Sequence, residues 1–443
     1  MSSHTIAGRF RAALPLLTLV LLGAAPSALS PQVAGDVHES YRVLTTTYYE
    51  RVDPQALLAA ASDALSDLAK KHGVTVTPPQ LRVEGDTEAT LAGLDSAIVG
   101  VAEQAHGSPT DYAYAAIAAM AHAVGDKYTQ FFTPDEFHQF NSALDPEKIS
   151  GIGVMLEQDA DTNVRVMYVV PTTPADRAGL RPGDMIVAID GSLAKGLTLE
   201  NASTLLRGKP GTVVTLSMAR DEAKPQDVSI KREELQPPTV VSKMLPGSIG
   251  YIYVMAFGKA TTKEFDTAVA RLKSEGARAL AIDLRNDGGG YVNTALDISS
   301  RFIANKPLLT VEERGQKAET ITAEDETSFT LPVSVLVNGY TASASEITAG
   351  ALQDDGIAML VGTKTFGKGV MQTLTPLPDG AAIKVTTAHY LTPNKHDINL
   401  RGIDPDVSVD EPKGSRFGDA DRDPQLRAAM LLLQKKIAEA KPN

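Results

Sequence analysis

"AIDLRNDGGGYVNTALDISS" (Ala281–Ser300) decides how the second half of this chain folds. An apolar run short enough for a buried strand meets three consecutive glycines, and a helical pattern starts straight after them. Strand, turn and helix in that order form the repeating unit of a layered α/β structure, and the unit recurs on both sides. Upstream, "GYIYVMAF" reads as a strand and "TTKEFDTAVARLKSEG" as a helix; downstream, "PVSVLVNG" is a strand, "SASEITAGALQDDG" a helix and "AMLVG" a strand. Such alternation predicts helices covering a largely buried sheet over residues 240–412. The glycine loop itself leaves two readings open: a tight turn, or an anion site built from backbone N–H groups at a helix start. It fits a dinucleotide-binding loop poorly, because the glycines are consecutive and Asn293 stands where a third spaced glycine belongs.

Towards the N-terminus the period changes. Between Gly151 and Leu235 short alternating strands ("GIGVMLEQ", "VRVMYVV", "GDMIVAIDG", "GTVVTLSMARD", "DVSIKREEL") are interrupted by one helix, "TLENASTLLRG" (Thr198–Gly208). This predicts a compact β-rich domain at 149–235, followed by the linker "LQPPTV" (Leu235–Val240). Residues 37–148 read as a helical region, within which "VTVTPPQLRVEGDTEATLAG" is less regular and reads as a local insertion. The first 30 residues form a separate object. His4, Arg9 and Arg11 precede the apolar run "AALPLLTLVLLGAA" (Ala12–Ala25), and the small residues of "PSALSPQVAG" follow. This is the layout of a secretory signal peptide, with an uncleaved anchor as the other reading. It predicts an exported protein, periplasmic or in an equivalent compartment, with membrane association left open. The absence of cysteine excludes a disulfide framework. A net charge of −12 argues against a nucleic-acid binder. At the other end, 413–443 reads as a helix and tail, with Asp423 as cap and Pro424 at the first helical position.

Candidate chemistry lies in the α/β half. "VGTKTFGKGV" (Val361–Val370) opens like a phosphate-binding loop, but Gly369 stands where Ser or Thr is needed, and "GVMQTLTPLPDG" is strand-like where a helix should follow. "DADRD" (Asp419–Asp423) lacks the glycine and glutamate of a calcium loop and reads as a solvated turn. "SLAK" (Ser192–Lys195) lies in a turn of the β-rich domain. No paired-histidine motif suggests a metal, and no G-x-S-x-G surrounds a serine. Ser343 followed by Glu346 is a capping box, and taken alone that structural role outweighs catalysis. A serine hydrolase without histidine can use a lysine base if burial lowers its pKa. Lys368, between Gly367 and Gly369 and beside Phe366, is the candidate, with nucleophile and oxyanion donors at two helix starts on neighbouring strands.

At these residues the sequence resembles the C-terminal processing peptidases, tail-specific serine proteases with a Ser/Lys dyad. "VNGYTASASEITAGALQDDG" is similar to that family's nucleophile segment, and "VGTKTFGKGVMQ" to its lysine segment, with Lys368 25 positions after Ser343. "TTAHYLTPNKHDINLRGIDPDV" continues the match. The resemblance implies Ser343 as nucleophile, Lys368 as general base and Gln372 as its orienting partner. It also implies an oxyanion hole made by Gly289 and the Ala344 N–H. The family's frequent Asn-Pro is Asp287-Gly288 here, which leaves the choice among the glycines open. The β-rich domain resembles a PDZ module, with Gly151, Ile152, Gly153 and Val154 as its carboxylate-binding loop. In some relatives an arginine of the PDZ helix senses the open state, a role the resemblance gives to Arg207.

The expected whole is a multidomain α/β protein: a helical N-terminal region, a β-rich PDZ domain and an α/β serine-protease core. It would be an exported endopeptidase that reads polypeptide C-termini and needs no cofactor or metal. The alternative is a non-catalytic PDZ scaffold with a relic protease domain. An adaptor protein or a second copy of the chain remain open as partners, with Val74–Ser108 as a surface for either. In a straight strand Lys368 and Gln372 would lie about 13 Å apart at roughly 3.3 Å per residue. Their contact would therefore require a bend or bulge near Gly369.

Overall fold

The computed structural model describes residues 28–159, 161–220, 223–323, 329–412 and 418–439. All but the end of the expected signal peptide, and the end of the C-terminal tail, lie outside them. Helices Pro31–Thr47, Pro54–Lys71, Thr87–Gln104 and Pro109–Ala123 come first and share one core, into which Leu44, Leu57, Leu65, Ile98 and Ile117 are fully buried. Three of these helices begin with proline, whose missing N–H has no helical partner to lose at that position.

One expectation changes here. The stretch read as an irregular insertion (Val74–Gly93) runs into helix Thr87–Gln104, capped by Asp86, with Leu91, Leu94 and Ile98 buried against its neighbours. The spacing of those residues is helical, but Pro78, Pro79 and Gly85 break the pattern just before it. Its apolar side is used inside the helical region rather than offered to a partner.

The β-rich domain is a sheet of strands Val154–Gln158, Val164–Val169, Met185–Ile189, Val213–Ala219 and Gln226–Lys231, paired antiparallel in that order around its own apolar core. Helix Leu199–Leu206 occupies the expected place. A second helix, Pro174–Arg177, is four residues long, too short for periodicity to reveal.

The α/β half is built on a six-stranded sheet in the order Val240–Leu245, Ile249–Val254, Ala279–Asp283, Val333–Val337, Ala358–Gly362 and Val407–Ser408. The first pair is antiparallel and all the others are parallel. Helices Thr261–Ser274, Val292–Ser300 and Ala344–Asp354 share one apolar cluster with the sheet, and helix Pro424–Glu439 contributes to another. With helices serving both clusters, the central strands read as continuous apolar runs. A second sheet is centred on Ala382–Leu391, which pairs with Val370–Pro376, Pro307–Glu313 and the short strand Gln130–Phe132. That last pairing ties the helical region to the α/β half.

The turn before the last helix is not a solvated one. Asp423 is fully buried, and its carboxylate accepts from Arg285 Nη1 at 2.9 Å and Nη2 at 2.7 Å. Arg285 also donates to Asp283 and to Gln425 Oε1, and Tyr251 donates its hydroxyl to Asp283 at 2.7 Å. Removing one member of such a cluster leaves uncompensated buried charge. Arg285→Ala is expected to destabilise the α/β half by about 3–5 kcal/mol, read as a lowered urea midpoint.

Candidate active site

Three loops leave the carboxyl ends of three adjacent parallel strands, where open α/β sheets place their sites. The loop after Ala279–Asp283 carries the glycines, the loop after Val333–Val337 carries Ser343, and the loop after Ala358–Gly362 carries Lys368. Strand order therefore brings together segments that are far apart in sequence. Cross-loop hydrogen bonds fix them. Asn286 N–H donates to Asn338 Oδ1 at 3.1 Å, and Asn338 Nδ2 donates back to Asn286 Oδ1 at 2.9 Å. Thr341 Oγ1 donates to the Leu284 carbonyl at 2.8 Å, and Phe366 N–H donates to the Thr341 carbonyl at 3.0 Å.

Ser343 sits at the start of helix Ala344–Asp354 with φ 58° and ψ −119°. A non-glycine residue there carries about 1–3 kcal/mol of strain, which surrounding contacts must offset. Much of that offset comes from Glu346, which is fully buried. Its Oε2 accepts from the Ser343 N–H at 3.0 Å and the Lys368 N–H at 2.8 Å. Its Oε1 accepts from Thr365 Oγ1 at 2.5 Å and the Gly367 N–H at 2.8 Å. The partner half of the sequence-read capping box is thus real, but its carboxylate also grips the lysine segment. Tyr390, buried behind both, donates its hydroxyl towards the Lys368 carbonyl at 2.7 Å and the Ser343 carbonyl at 3.2 Å.

Lys368 is followed by strand Val370–Pro376 rather than by a helix, so the phosphate-loop geometry is absent. Gly367 has φ +87°, and a Cβ there would lie 2.7 Å from Gly402 N, so the segment after Ile398 can pass against its backbone. Burial pushes the Lys368 amine down to about 8, helped by the nearby Lys384 charge, while Glu346 and Asp126 pull the other way. Its Nζ lies 5.2 Å from the Tyr128 ring centroid. Tyr128 and Asp126 belong to the loop after the last helix of the N-terminal cluster, a contribution that no motif in the sequence marked.

Ser343, Lys368, Gln372 and Gly289 line one cleft of about 370 Å³, together with Asp287 and Lys384. Among the described residues no hydrogen bond joins Ser343 Oγ to Lys368 Nζ. Gln372 lies in the same cleft, yet its Nε2 is buried without a partner and makes no bond to Lys368. The strand irregularity falls between Met371 and Gln372, where the partner strand skips Thr387, two residues beyond the expected place.

Of the three glycines, Gly289 is the one stacked on the serine: a Cβ there would lie 2.9 Å from Ser343 Cβ and 2.8 Å from Ala344 N. Its N–H, the expected oxyanion donor, donates to Asp287 Oδ1 at 2.8 Å. The Ala344 N–H, at the first helical position, has no partner among the described residues.

In the β-rich domain Gly151, Ile152, Gly153, Val154 and Arg207 line one groove with Leu206 and the linker prolines Pro237 and Pro238. The N–H groups of Ile152 and Gly153 are unpaired among the described residues, while their carbonyls accept from Ala175 and Val170.

A family model for peptidase family S41 matches residues 248–409, and one for a PDZ domain matches residues 165–220. The chain is 37% identical over 335 residues to the carboxyl-terminal-processing protease of Synechocystis sp., covering 74% of this chain and 78% of that protein. It is 33% identical over 325 residues to carboxy-terminal processing protease CtpA of Bacillus subtilis, covering 73% and 69%. Among solved structures, the photosystem II D1 C-terminal processing protease is 25% identical, with 86% of this chain and 94% of that one covered and a TM-score of 0.45. The molecule is a serine-type peptidase with a PDZ domain. The chain belongs to the carboxyl-terminal processing proteases of peptidase family S41.

Glu346→Gln replaces part of a four-donor acceptor with an NH₂ group and strands buried donors. Its expected cost is about 3 kcal/mol of stability, measurable as a lower calorimetric melting temperature.

Proposed function

We propose that this chain is an exported endopeptidase that binds a polypeptide C-terminus in its PDZ groove and cuts with a Ser343/Lys368 dyad. The observation that carries the reading is the strained Ser343, held by one buried carboxylate to the segment of a lysine whose amine is lowered to about 8. A neutral amine in a buried place can serve as general base, and a serine at a helix start sets its hydroxyl beside the unpaired Ala344 N–H.

Ser343 Oγ attacks the scissile carbonyl and Lys368 takes its proton. The tetrahedral oxyanion is met by the N–H of Ala344 and, once freed, of Gly289. Lys368 then gives the proton to the leaving amine, leaving an acyl-serine. Water, deprotonated by Lys368, hydrolyses that ester and restores the enzyme. Gln372, whose Nε2 has no partner among the described residues, orients the lysine amine. The unpaired N–H groups of Ile152 and Gly153 would donate to the substrate's terminal carboxylate, with Arg207 lining the same groove. Export rests on the basic, apolar and small-residue succession of the first 30 residues.

Cleavage of a quenched-fluorescence peptide tests the scheme. Ser343→Ala and Lys368→Arg should each lower kcat by about a thousandfold or more, since Arg stays protonated; persistent cleavage by Ser343→Ala would remove the dyad. Amidating the peptide's C-terminus should lower kcat/KM by about 10- to 100-fold, the worth of hydrogen bonds to a charged group; an equal rate would remove the PDZ reading. The lowered proton affinity of the buried Lys368 amine sets the third outcome. Below about 8 Lys368 becomes protonated and loses its function as base, so kcat/KM declines towards acid pH.

A further inference from the structure

Asp287 is the buried titratable group of the cleft that the mechanism above does not use. Its side chain is fully buried in the loop between strand Ala279–Asp283 and helix Val292–Ser300. Oδ1 accepts the Gly289 N–H at 2.8 Å, and Oδ2 has no hydrogen-bond partner among the described residues. Its backbone is pinned to the nucleophile loop: the Asp287 carbonyl accepts from Ala342 N–H at 3.0 Å and Ser345 Oγ at 3.1 Å. The carboxyl group therefore cannot drift away from the glycine that stacks on Ser343. It competes directly for the N–H that an incoming oxyanion needs.

We propose that Asp287 is the positioning residue of the oxyanion loop, withholding the Gly289 N–H when ionised and releasing it when neutral. This rests on the Ser343/Lys368 reading. A carboxylate is a stronger acceptor for an N–H than a carboxylic acid is, so the ionised form keeps Gly289 engaged. It also places a buried negative charge beside the oxyanion as that charge develops, which raises the barrier. The neutral acid carries no such charge and accepts the N–H only weakly. Burial raises the proton affinity of Asp287 to about 7, against the opposing pull of its Gly289 and Ser345 contacts. The other titratable groups around it are Tyr253 on the neighbouring strand, Asp283 at the end of the preceding strand, Arg285 earlier in the same loop, and Tyr291, Lys368 and Lys384 in the same cleft. Arg285 is engaged by Asp283 and Asp423.

The signs follow. Lys368 must be neutral, so the rate falls on the acid side; Asp287 must be protonated, so it also falls on the alkaline side. An ordinary Ser/Lys site would have only the first limb.

The test is kcat/KM between about pH 5.5 and 10 for the wild type and Asp287→Asn, with a quenched-fluorescence peptide ending in a free carboxylate. The asparagine keeps an oxygen to accept the Gly289 N–H but cannot ionise. The wild type should peak between about 7 and 8 and decline above that. The variant should rise to an alkaline plateau, so that its rate relative to wild type grows by about tenfold or more from pH 6 to pH 9. A wild-type profile that stays flat above pH 8 would overturn the proposal even if the variant did not fold. So would an equal alkaline decline in both proteins. Ser343→Ala in each background separates the two ideas: cleavage surviving it overturns the dyad itself, whereas flat or parallel profiles in a Ser343-dependent enzyme overturn only the role of Asp287.

Discussion

The carboxylate of Glu346 holds the candidate site together. One oxygen binds the backbone N–H groups of Ser343 and Lys368, and the other binds Thr365 and Gly367. Each hydrogen bond to such a buried carboxylate is worth more than its surface equivalent. This one interaction does two jobs. It stabilises a serine in an unfavourable backbone conformation, and it sets the spacing between two chain segments that leave different strands. The remaining parts of the site, including the Tyr390 hydroxyl behind it and the glycine loop in front, are arranged around that fixed pair.

Burial then gives each group its chemistry. The same apolar cleft that lowers Lys368 raises Asp287, because each is pushed towards its neutral form. A lysine ready to accept a proton and an acid ready to keep one are opposite consequences of one cause. Gly289 gives its N–H to Asp287, and among the described residues the serine and lysine side chains are not hydrogen-bonded to one another. Catalytic hydrogen bonds commonly tighten only when substrate enters.

Much of this could be read from the chain. The alternation from Gly250 onward announced an α/β sheet, and the change of period at Gly151 announced a separate β-rich unit. The three site segments stood out because glycines, a serine at a helix start and a lysine between glycines each break the local pattern for a reason. Other parts were not legible. Helix Thr87–Gln104 was hidden behind a proline-rich stretch, and the burial of Asp423 looked from sequence like a polar turn. Asp126 and Tyr128 reach Lys368 from a distant loop that has no motif of its own.

What the sequence determined by itself is local: which stretches are strand or helix, and which residues carry reactive groups. Those properties follow from side-chain period, turn chemistry and capping, which act over a few residues. What only the tertiary structure decided is adjacency and environment. Parallel strand order placed three loops at one end of the sheet. Glu346 became a clamp only when the lysine segment folded over it, and Gly289 lost its N–H to Asp287 because both lie in one tight loop against Ser343. Hydrogen bonds and desolvation depend on distances between atoms far apart in the chain, and those distances exist only once the sheet has formed.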